Sequence, residues 1–159
     1  MKTKFCLNID QTNHELPESF FYSLTQAFCQ IMKIDDSFEI SLSIVDETKI
    51  SELNEKYRHQ CGPTDVLTFV FAETSSFPRI ADDYPVLGDI YICYEQVTKN
   101  SQKFGKTCQD ELAMVYVHAL LHLFGHHHPT DSDLKHINKF TQTIITKYKK
   151  NESKDQTTE

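Results

Sequence analysis

The segment that most constrains the fold of this chain runs from Leu112 to Phe124. Apart from His118 and His122, all its side chains are apolar or aromatic. A helix that is apolar on every side is buried in the interior of a protein. At 13 positions the segment is too short to cross a bilayer. It therefore predicts a central, buried helix that carries two imidazoles.

Two signals mark the ends of this helix. Thr107-x-x-Asp110 resembles a capping box, in which a threonine hydroxyl accepts a hydrogen bond from the first helical turn. Gly125 follows the apolar segment and is typical of the left-handed residue that ends a helix. The chain after Gly125 is therefore expected to turn back toward the histidine face.

The spacing of the histidines predicts a metal site. His118 and His122 are four positions apart, so their rings lie on one helix face, close enough to share an ion. Burying two imidazoles without partners is costly, and a bound cation offsets that cost. His128, beyond the Gly125 turn, supplies a third nitrogen. Three neutral imidazoles leave a fourth position for water, which is typical of a catalytic zinc.

His126 and His127 are alternative ligands. His126 continues the four-residue spacing and would rival His128 if the helix continued, but Gly125 argues against that continuation. Both are expected to be loop residues near the ion. A single histidine on an apolar face is more often a hydrogen-bonded core residue, whereas three in this register around a glycine favour a metal.

The string H-x-x-x-H-x-x-G-x-x-H matches the zinc-binding half of the metzincin peptidase signature except at one position. Metallopeptidases place a glutamate directly after the first histidine as general base, and this chain has Ala119 there. The methionine turn is also missing, because Met1, Met32 and Met114 all precede His128. A peptidase is therefore disfavoured, and another group or the substrate must handle the proton.

The remaining apolar patterns predict one α+β domain over residues 1–148. Alternation from Phe38 to Ile44 predicts a strand with one buried face, and Pro17 and Asp46 each predict a helix start. One mixed sheet of about four strands is expected to pack with helices around the histidine helix. Other elements are expected at 4–8, 66–71, 88–93 and 95–104, with a long loop at 72–85 and a disordered tail at 149–159. A last helix is expected from Asp131 or Ser132, and its inward-facing residues are expected to be Leu134, Ile137, Phe140, Ile144, Ile145 and Tyr148.

Composition restricts the partners. The net charge of −7 argues against a protein that holds nucleic acid by a broad basic face, although a small basic cleft on an acidic body is compatible with it. The five cysteines form no C-x-x-C pair and no secretory signal is visible, so reduced thiols and a cytoplasmic location are expected. A membrane is not expected as a partner.

Three blocks of sequence together carry a family resemblance, and they occur in this order: Leu53-Asn54-x-x-Tyr57-Arg58 with Gly62-Pro63-Thr64-Asp65-Val66-Leu67-Thr68-Phe69, then Leu87-Gly88-Asp89-Ile90, then His118 to His128. The chain resembles the YbeY family of endoribonucleases. The resemblance implies an α+β fold with a four-stranded sheet and one zinc ion held by His118, His122 and His128. It also implies that Arg58 is the functional arginine.

The resemblance further implies a function on ribosomal RNA. We expect a single-strand-specific, zinc-dependent endoribonuclease that acts in 16S rRNA 3′ end maturation and ribosome quality control. The expected partners are ribosomal RNA and the small ribosomal subunit, together with a ribosomal protein or an assembly GTPase, and not DNA. Imidazole ligands also suit nickel, copper and iron, so the sequence leaves the physiological metal open.

Arg58 has two interpretations. Near the end of a helix it can be a solvated cation that pairs with the helix dipole. The adjoining Gly62-Pro63-Thr64-Asp65 block would instead bring it near the metal cleft, and the resemblance favours this position. Thr64 and Asp65 are expected to hold the loop by local hydrogen bonds.

The chain departs from the family pattern without losing a ligand. Ala119 replaces the usual glycine, His126-His127 replace Tyr-Asp, Cys61 replaces an acidic residue, and Thr68-Phe69-Val70 replace Ser-Phe-Pro. The loss of acid at Cys61 and His127 places in doubt any proton-transfer role at those positions. The missing general base supports a second hypothesis, a non-enzymatic ribosome assembly factor in which the metal is a structural clip.

Overall fold

One four-stranded sheet supports the helix that carries the histidines. The computed structural model describes residues 4–12, 14–71 and 85–157. The expected loop at 72–85 lies outside the described residues except for Pro85. The elements in chain order are β1 (Phe5–Gln11), α1 (Glu18–Met32), β2 (Phe38–Val45), α2 (Glu47–Arg58), β3 (Val66–Val70), β4 (Val86–Cys93), α3 (Tyr94–Lys103), α4 (Cys108–Leu123) and α5 (Asp131–Thr157).

The sheet is mixed, as expected, and its strand order is β1-β2-β4-β3. β1, β2 and β4 are parallel, whereas β3 runs antiparallel to β4 at the edge. Alternate residues of β2, from Phe38 to Ile44, are buried, because the period of a strand directs them all to one face. The predicted α+β class is confirmed.

The apolar helix α4 lies at the centre of the core, as its composition predicts. Ten of its residues are buried, and α1 and α5 both pack against it. The fully buried Tyr116 shares a hydrogen bond of 2.7 Å with the Thr25 hydroxyl of α1, so its polar atom has a partner in the core. Thr107 caps the helix by accepting from the Asp110 backbone N–H at 3.1 Å. Among the described residues no helix combines the length and apolar character that crossing a membrane requires.

The C-terminal helix differs from the expected disordered tail. α5 begins at Asp131, which was one of the two expected starts, but it continues to Thr157. Polar contacts attach its last turns to the domain, because Lys149 pairs with Asp110 at 3.4 Å and Asn151 donates to Gln30 at 3.1 Å. The sequence shows no apolar anchor there, and polar contacts of this kind give no periodic signal.

The inward face of α5 also differs in part. Ile137, Ile144, Ile145 and Tyr148 are buried as expected. Leu134 and Phe140 were expected to point inward as well, but they are exposed, at 37% and 40% of their surface. Part of the space on that face is taken by Thr141, which is buried and donates to the Ile137 carbonyl at 2.8 Å. The buried hydroxyl has this partner in its own helix, so a threonine can occupy a core position.

Gly88 allows the sheet and α4 to approach each other. A Cβ atom at this position of β4 would lie 2.0 Å from the Phe69 carbonyl oxygen of β3 and 2.7 Å from a methyl carbon of Leu123 in α4. The first of these contacts is with backbone, which has little freedom to move in a paired strand. The glycine of the Leu87-Gly88-Asp89 block is therefore a packing requirement.

Replacing Gly88 by alanine is expected to destabilise the protein by about 3 kcal/mol or to prevent folding, because β3 or α4 must move to accept the methyl group. Val86→Ala in the same strand is the matched control, since Val86 is exposed, and it should cost less than about 1 kcal/mol. Urea denaturation measures both. Equal stability of Gly88→Ala and the wild type would contradict the packing requirement.

Candidate functional site

A cleft of about 940 Å³ opens beside the C-terminal end of α4. Its walls come from the end of α2, from β3 and from β4, and His122 and His127 contribute imidazoles. Among the described residues that line it, most are apolar or aromatic, and the charged ones are Arg58 and Asp89. A concave apolar site with a few polar groups is the usual form of a binding or catalytic site.

His118 and His122 have the environment expected of buried ligands. Each is partly exposed on α4, between neighbours that are buried. The Nε2 atom of His118 is buried and has no hydrogen-bond partner among the described residues. Such an atom loses its water without a replacement, which is costly. Either a cation or a hydrogen-bonding ligand would remove that cost.

The turn after α4 returns the chain as the glycine predicts. α4 ends at Leu123, and Gly125 has φ +89°. The Gly125 N–H donates to the His122 carbonyl at 3.0 Å and the His126 N–H donates to the Leu121 carbonyl at 2.9 Å. This pair of bonds is a Schellman motif, which ends a helix and reverses the chain. As a result the ring of His128 lies 5.1 Å from the ring of His122, measured between centroids.

His126 and His127 point in different directions. The His126 ring lies 6.0 Å from the Phe140 ring of α5, and the end of the helix at Leu123 removes it from the four-residue stripe. The His127 ring lies 5.8 Å from that of His122 and lines the cleft. Of these two alternatives, His127 is therefore the one that reaches the cleft.

The three expected ligands are imidazoles, which suit a zinc-class ion, and their rings lie near one another. Two imidazoles on one tetrahedral zinc have ring centroids roughly 5 Å apart, given a Zn–N bond of about 2.0–2.1 Å. His122 and His128 have that separation, and His118 lies close enough for His128 to act on its charge. As the side chains stand, no three His, Cys, Asp or Glu residues of the described ranges are grouped to hold a metal. A metal held by these three imidazoles would therefore require them to rotate.

Both helix histidines favour the neutral form, which is the form that binds metal. Burial lowers the pKa of His118, and the adjacent His128 lowers it further, against smaller opposing contributions from Asn138 and Asp65. Burial also lowers the pKa of His122, together with the other imidazoles and Arg58. The Asn138 side chain of α5 acts on the pKa of His118 from beside its ring, where the outer partners of metal-binding histidines commonly lie.

Arg58 is fixed on the cleft wall rather than on its own helix end. Its Nη2 atom donates to the Thr68 carbonyl of β3 at 2.8 Å, and the guanidinium carbon lies 5.4 Å from the Phe69 ring centroid. Arg58 and His122 both line the cleft, and the charge of Arg58 makes a small contribution to lowering the pKa of His122. Of the two interpretations of Arg58, this geometry favours a site residue over a helix-dipole cation.

The loop after Arg58 is held by a buried asparagine. Asn54 of α2 donates from its side chain to the Gly62 carbonyl at 3.0 Å, and His59 ends the helix with a left-handed φ of 56°. Thr64 donates to the Asp65 carboxylate at 3.4 Å, so the expected local hydrogen bond exists but is long. The Asp65 carboxylate also raises the pKa of His118, which the sequence did not predict.

Several cleft residues were not predicted as site residues. Asp89 lines the cleft, and burial raises the pKa of its carboxyl group. The cleft also contains the rings of Tyr57, Phe69 and Tyr91. Asp89 belongs to the Leu-Gly-Asp block and could have been found from it, whereas the strand alternation alone does not tell which face of β4 borders a cleft.

A model of the family described as endoribonuclease YbeY matches residues 7–149. The chain belongs to this family. The matched region includes every element from α1 to α4, the cleft and α5 as far as residue 149. The expected family resemblance is therefore confirmed.

Relatives and a solved structure agree with this assignment. The chain is 32% identical to endoribonuclease YbeY of Syntrophomonas wolfei over 80% of this chain and 83% of that protein. It is 32% identical to that of Caldicellulosiruptor bescii over 87% and 89%. The alignment with that of Macrococcus caseolyticus, at 36% identity, covers 63% of this chain and 65% of that protein. The solution structure of TM1509 from Thermotoga maritima is similar with a TM-score of 0.56 and 28% identity, covering 92% of this chain and 95% of that one.

The positions at which the chain is expected to depart from the YbeY pattern differ in whether they border the cleft. Ala119 is buried in the core and faces away from solvent, whereas Cys61 is exposed in the loop after α2. His127 lines the cleft. Of the departures that the resemblance implies, the one at His127 would therefore change the cleft itself, and the one at Cys61 would change the loop after α2.

The lowered pKa values of His118 and His122 predict how stability depends on pH. An unfolded histidine binds its proton near pH 6.5, so below about that pH the unfolded chain binds more protons than the folded one. The free energy of unfolding of the metal-free protein should therefore fall as the pH drops from about 7.5 to 5.5.

Denaturant titrations at several pH values measure this slope. The double variant His118→Gln/His122→Gln should have a flatter profile over the same range, because both groups are absent. A wild-type stability that rises or stays constant toward pH 5.5 would contradict the buried neutral histidines.

Proposed function

We propose that this chain is a single-strand-specific, zinc-dependent endoribonuclease that acts in 16S rRNA 3′ end maturation and ribosome quality control. Membership of the endoribonuclease YbeY family supports the RNA-cleaving activity. The observation that carries the site assignment is the position of Arg58. Its guanidinium is held on β3, faces the cleft that His122 lines, and lies close enough to lower the pKa of that imidazole.

Arg58 binds the scissile phosphate in this proposal. A guanidinium has five N–H donors in a fixed plane and can bind two phosphate oxygens at once. The bond to the Thr68 carbonyl occupies one nitrogen and restrains the plane over Phe69. A donor group that is already oriented stabilises the charge that develops on the phosphate without having to reorganise.

His118, His122 and His128 hold the metal. When bound, a zinc ion supplies Lewis-acid chemistry, polarising a phosphoryl oxygen or lowering the pKa of a water molecule. Nickel or another divalent ion can occupy the same imidazole set in preparations. The residues of the chain orient the phosphate and keep the imidazoles neutral, since burial lowers the pKa of His118 and His122.

Asp89 is the carboxylate that we assign to proton transfer in the cleft. Ala119 occupies the position where metallopeptidases have their general base. Burial raises the pKa of Asp89, and a carboxylate with a raised pKa is a better proton acceptor near neutral pH. It lines the same cleft as Arg58 and His122.

The RNA is delivered by a partner in this proposal. A net charge of −7 is unfavourable for binding RNA by charge alone. The small ribosomal subunit, together with a ribosomal protein or an assembly GTPase, would bring the ribosomal RNA to the cleft. A protein with weak autonomous affinity then acts only on RNA in that assembly.

A second candidate function is a non-catalytic ribosome assembly factor whose metal is a structural clip. The observation that favours it is Ala119, because the helix has no acid next to its first ligand. The two functions differ in one respect that can be measured. An enzyme keeps a water position on the ion and cleaves RNA in a reaction that requires His118.

Removing a ligand is expected to empty the site. His118→Ala, His122→Ala and His128→Ala should each lower zinc affinity by more than the roughly 10- to 100-fold typical of losing an outer-shell partner. His126→Ala and His127→Ala are matched controls, because each removes an imidazole from the same turn without removing an assigned ligand. Elemental analysis and competition with a chromophoric chelator give the affinities. Loss of metal in His126→Ala but not in His128→Ala would contradict the assignment.

Replacing Arg58 separates its two interpretations. Arg58→Ala should lower the cleavage rate of single-stranded RNA on the order of 100-fold or more, with metal content and fold intact. Arg58→Lys should also be strongly impaired, because lysine offers a point charge instead of a bidentate donor. Lys49→Ala, at the exposed start of the same helix, is the control. Wild-type cleavage by metal-loaded Arg58→Ala would overturn the catalytic role.

A further inference from the structure

Three aromatic rings form one continuous wall of the cleft. The Tyr57 ring meets the Phe69 ring at 5.2 Å between centroids with an interplanar angle of 69°, and Phe69 meets Tyr91 at 5.9 Å and 81°. The rings come from α2, β3 and β4, and all three line the cleft. These edge-to-face contacts are the arrangement that aromatic pairs prefer. The wall is therefore packed against itself and not only against the core.

Tyr57 is the exposed end of this wall. The helical pattern of α2 directs Ile50 into the core, where it is fully buried, but Tyr57 keeps 50% of its surface exposed. Few large apolar side chains of the described residues are as exposed as this one. An exposed aromatic surface that is continuous with an apolar cleft has the form of a binding groove.

Cations flank the wall. The Lys56 Nζ atom lies 5.1 Å from the Tyr57 ring centroid, and the Arg58 guanidinium carbon lies 5.4 Å from that of Phe69. Aromatic faces beside lysine and arginine are the combination that binds single-stranded nucleic acid, in which bases stack on rings and cations contact the backbone. A purely apolar protein segment would offer neither cation an anionic partner.

We propose that Tyr57 and Phe69 form a nucleobase-stacking subsite that holds a base of single-stranded RNA next to the phosphate bound by Arg58. This inference rests on the proposed function and names the feature of the substrate that the cleft recognises, an unstacked base. Tyr57, Arg58 and Phe69 all line the cleft, and the Arg58 guanidinium lies beside the Phe69 ring, so a phosphate at Arg58 has its neighbouring base within reach of the wall. A base-paired strand keeps its bases stacked on each other and cannot use this surface.

The subsite also accounts for binding by an acidic protein. Electrostatic attraction to RNA is weak for a chain with a net charge of −7. Stacking on an aromatic ring does not depend on net charge, and each stacked base contributes roughly 5- to 100-fold in affinity. The cleft volume of about 940 Å³ is sufficient for a nucleotide.

The absence of tryptophan from the sequence allows a direct test. Tyr57→Trp introduces a single indole at the rim, and a base stacked on it should quench its fluorescence. The probes are a single-stranded 2′-O-methyl oligonucleotide and an oligonucleotide of equal length and charge in which every nucleotide is abasic. We expect quenching by the first and not by the second. Quenching by both, or by neither, would overturn the subsite.

Phe104→Trp is the matched control. Phe104 is 57% exposed and has the Lys103 Nζ atom 5.8 Å from its ring centroid, but it does not line the cleft. It reproduces an exposed ring beside a lysine without the neighbouring wall. The base-bearing oligonucleotide should leave its fluorescence unchanged. Equal quenching at both positions would mean nonspecific contact and would overturn the proposal.

Affinity measurements complete the test. Tyr57→Leu should weaken binding of the base-bearing oligonucleotide by at least about fivefold, equally at low and high salt, whereas Tyr57→Phe keeps the ring and should bind like the wild type. Circular dichroism verifies that both variants fold. If Tyr57→Leu binds normally while the wild type cleaves RNA, the subsite is wrong and the proposed function stands. If base-dependent quenching is found but no RNA is cleaved, the proposed function fails and the subsite stands.

Discussion

The cost of burying imidazoles in an apolar helix is the constraint on which the rest of this site depends. α4 forms the centre of the core, so its position is set by hydrophobic packing and not by the histidines. His118 has a buried nitrogen without a partner among the described residues, and burial holds both helix imidazoles in the neutral form. The core thus supplies two neutral imidazoles, of which His122 lines the cleft, at a cost in stability that a ligand would offset.

Two glycines and one asparagine bring the other groups to that edge. Gly125 reverses the chain, so that His128 returns to His122. Gly88 lets β3 approach α4, which brings the strand that holds the Arg58 guanidinium beside the histidines. Asn54 fixes the loop that follows Arg58. None of these three residues needs to touch a substrate, and each acts by allowing or fixing a backbone position.

The sequence predicts the fold well where one dominant pattern exists. The apolar helix, its caps, the alternating strand β2 and the glycine turn all follow from local periodicity and composition, and the structure has them. The extension of α5 to Thr157 and the exposure of Leu134 and Phe140 could not be predicted, because long-range contacts decide them. In the same way, the histidine spacing identifies candidate ligands, but the Arg58–Thr68 bond and the ring wall depend on how β3 pairs with β4.

The most direct test of this account is the position of a metal in crystals of the protein grown with zinc. Anomalous difference maps at the zinc edge locate the ion independently of any activity. We predict one strong peak beside the cleft, within about 2.0–2.1 Å of one nitrogen each of His118, His122 and His128, with at least one further position open to solvent. A peak held by His126, His127 or cysteine sulfur instead, or no peak near α4, would contradict the account.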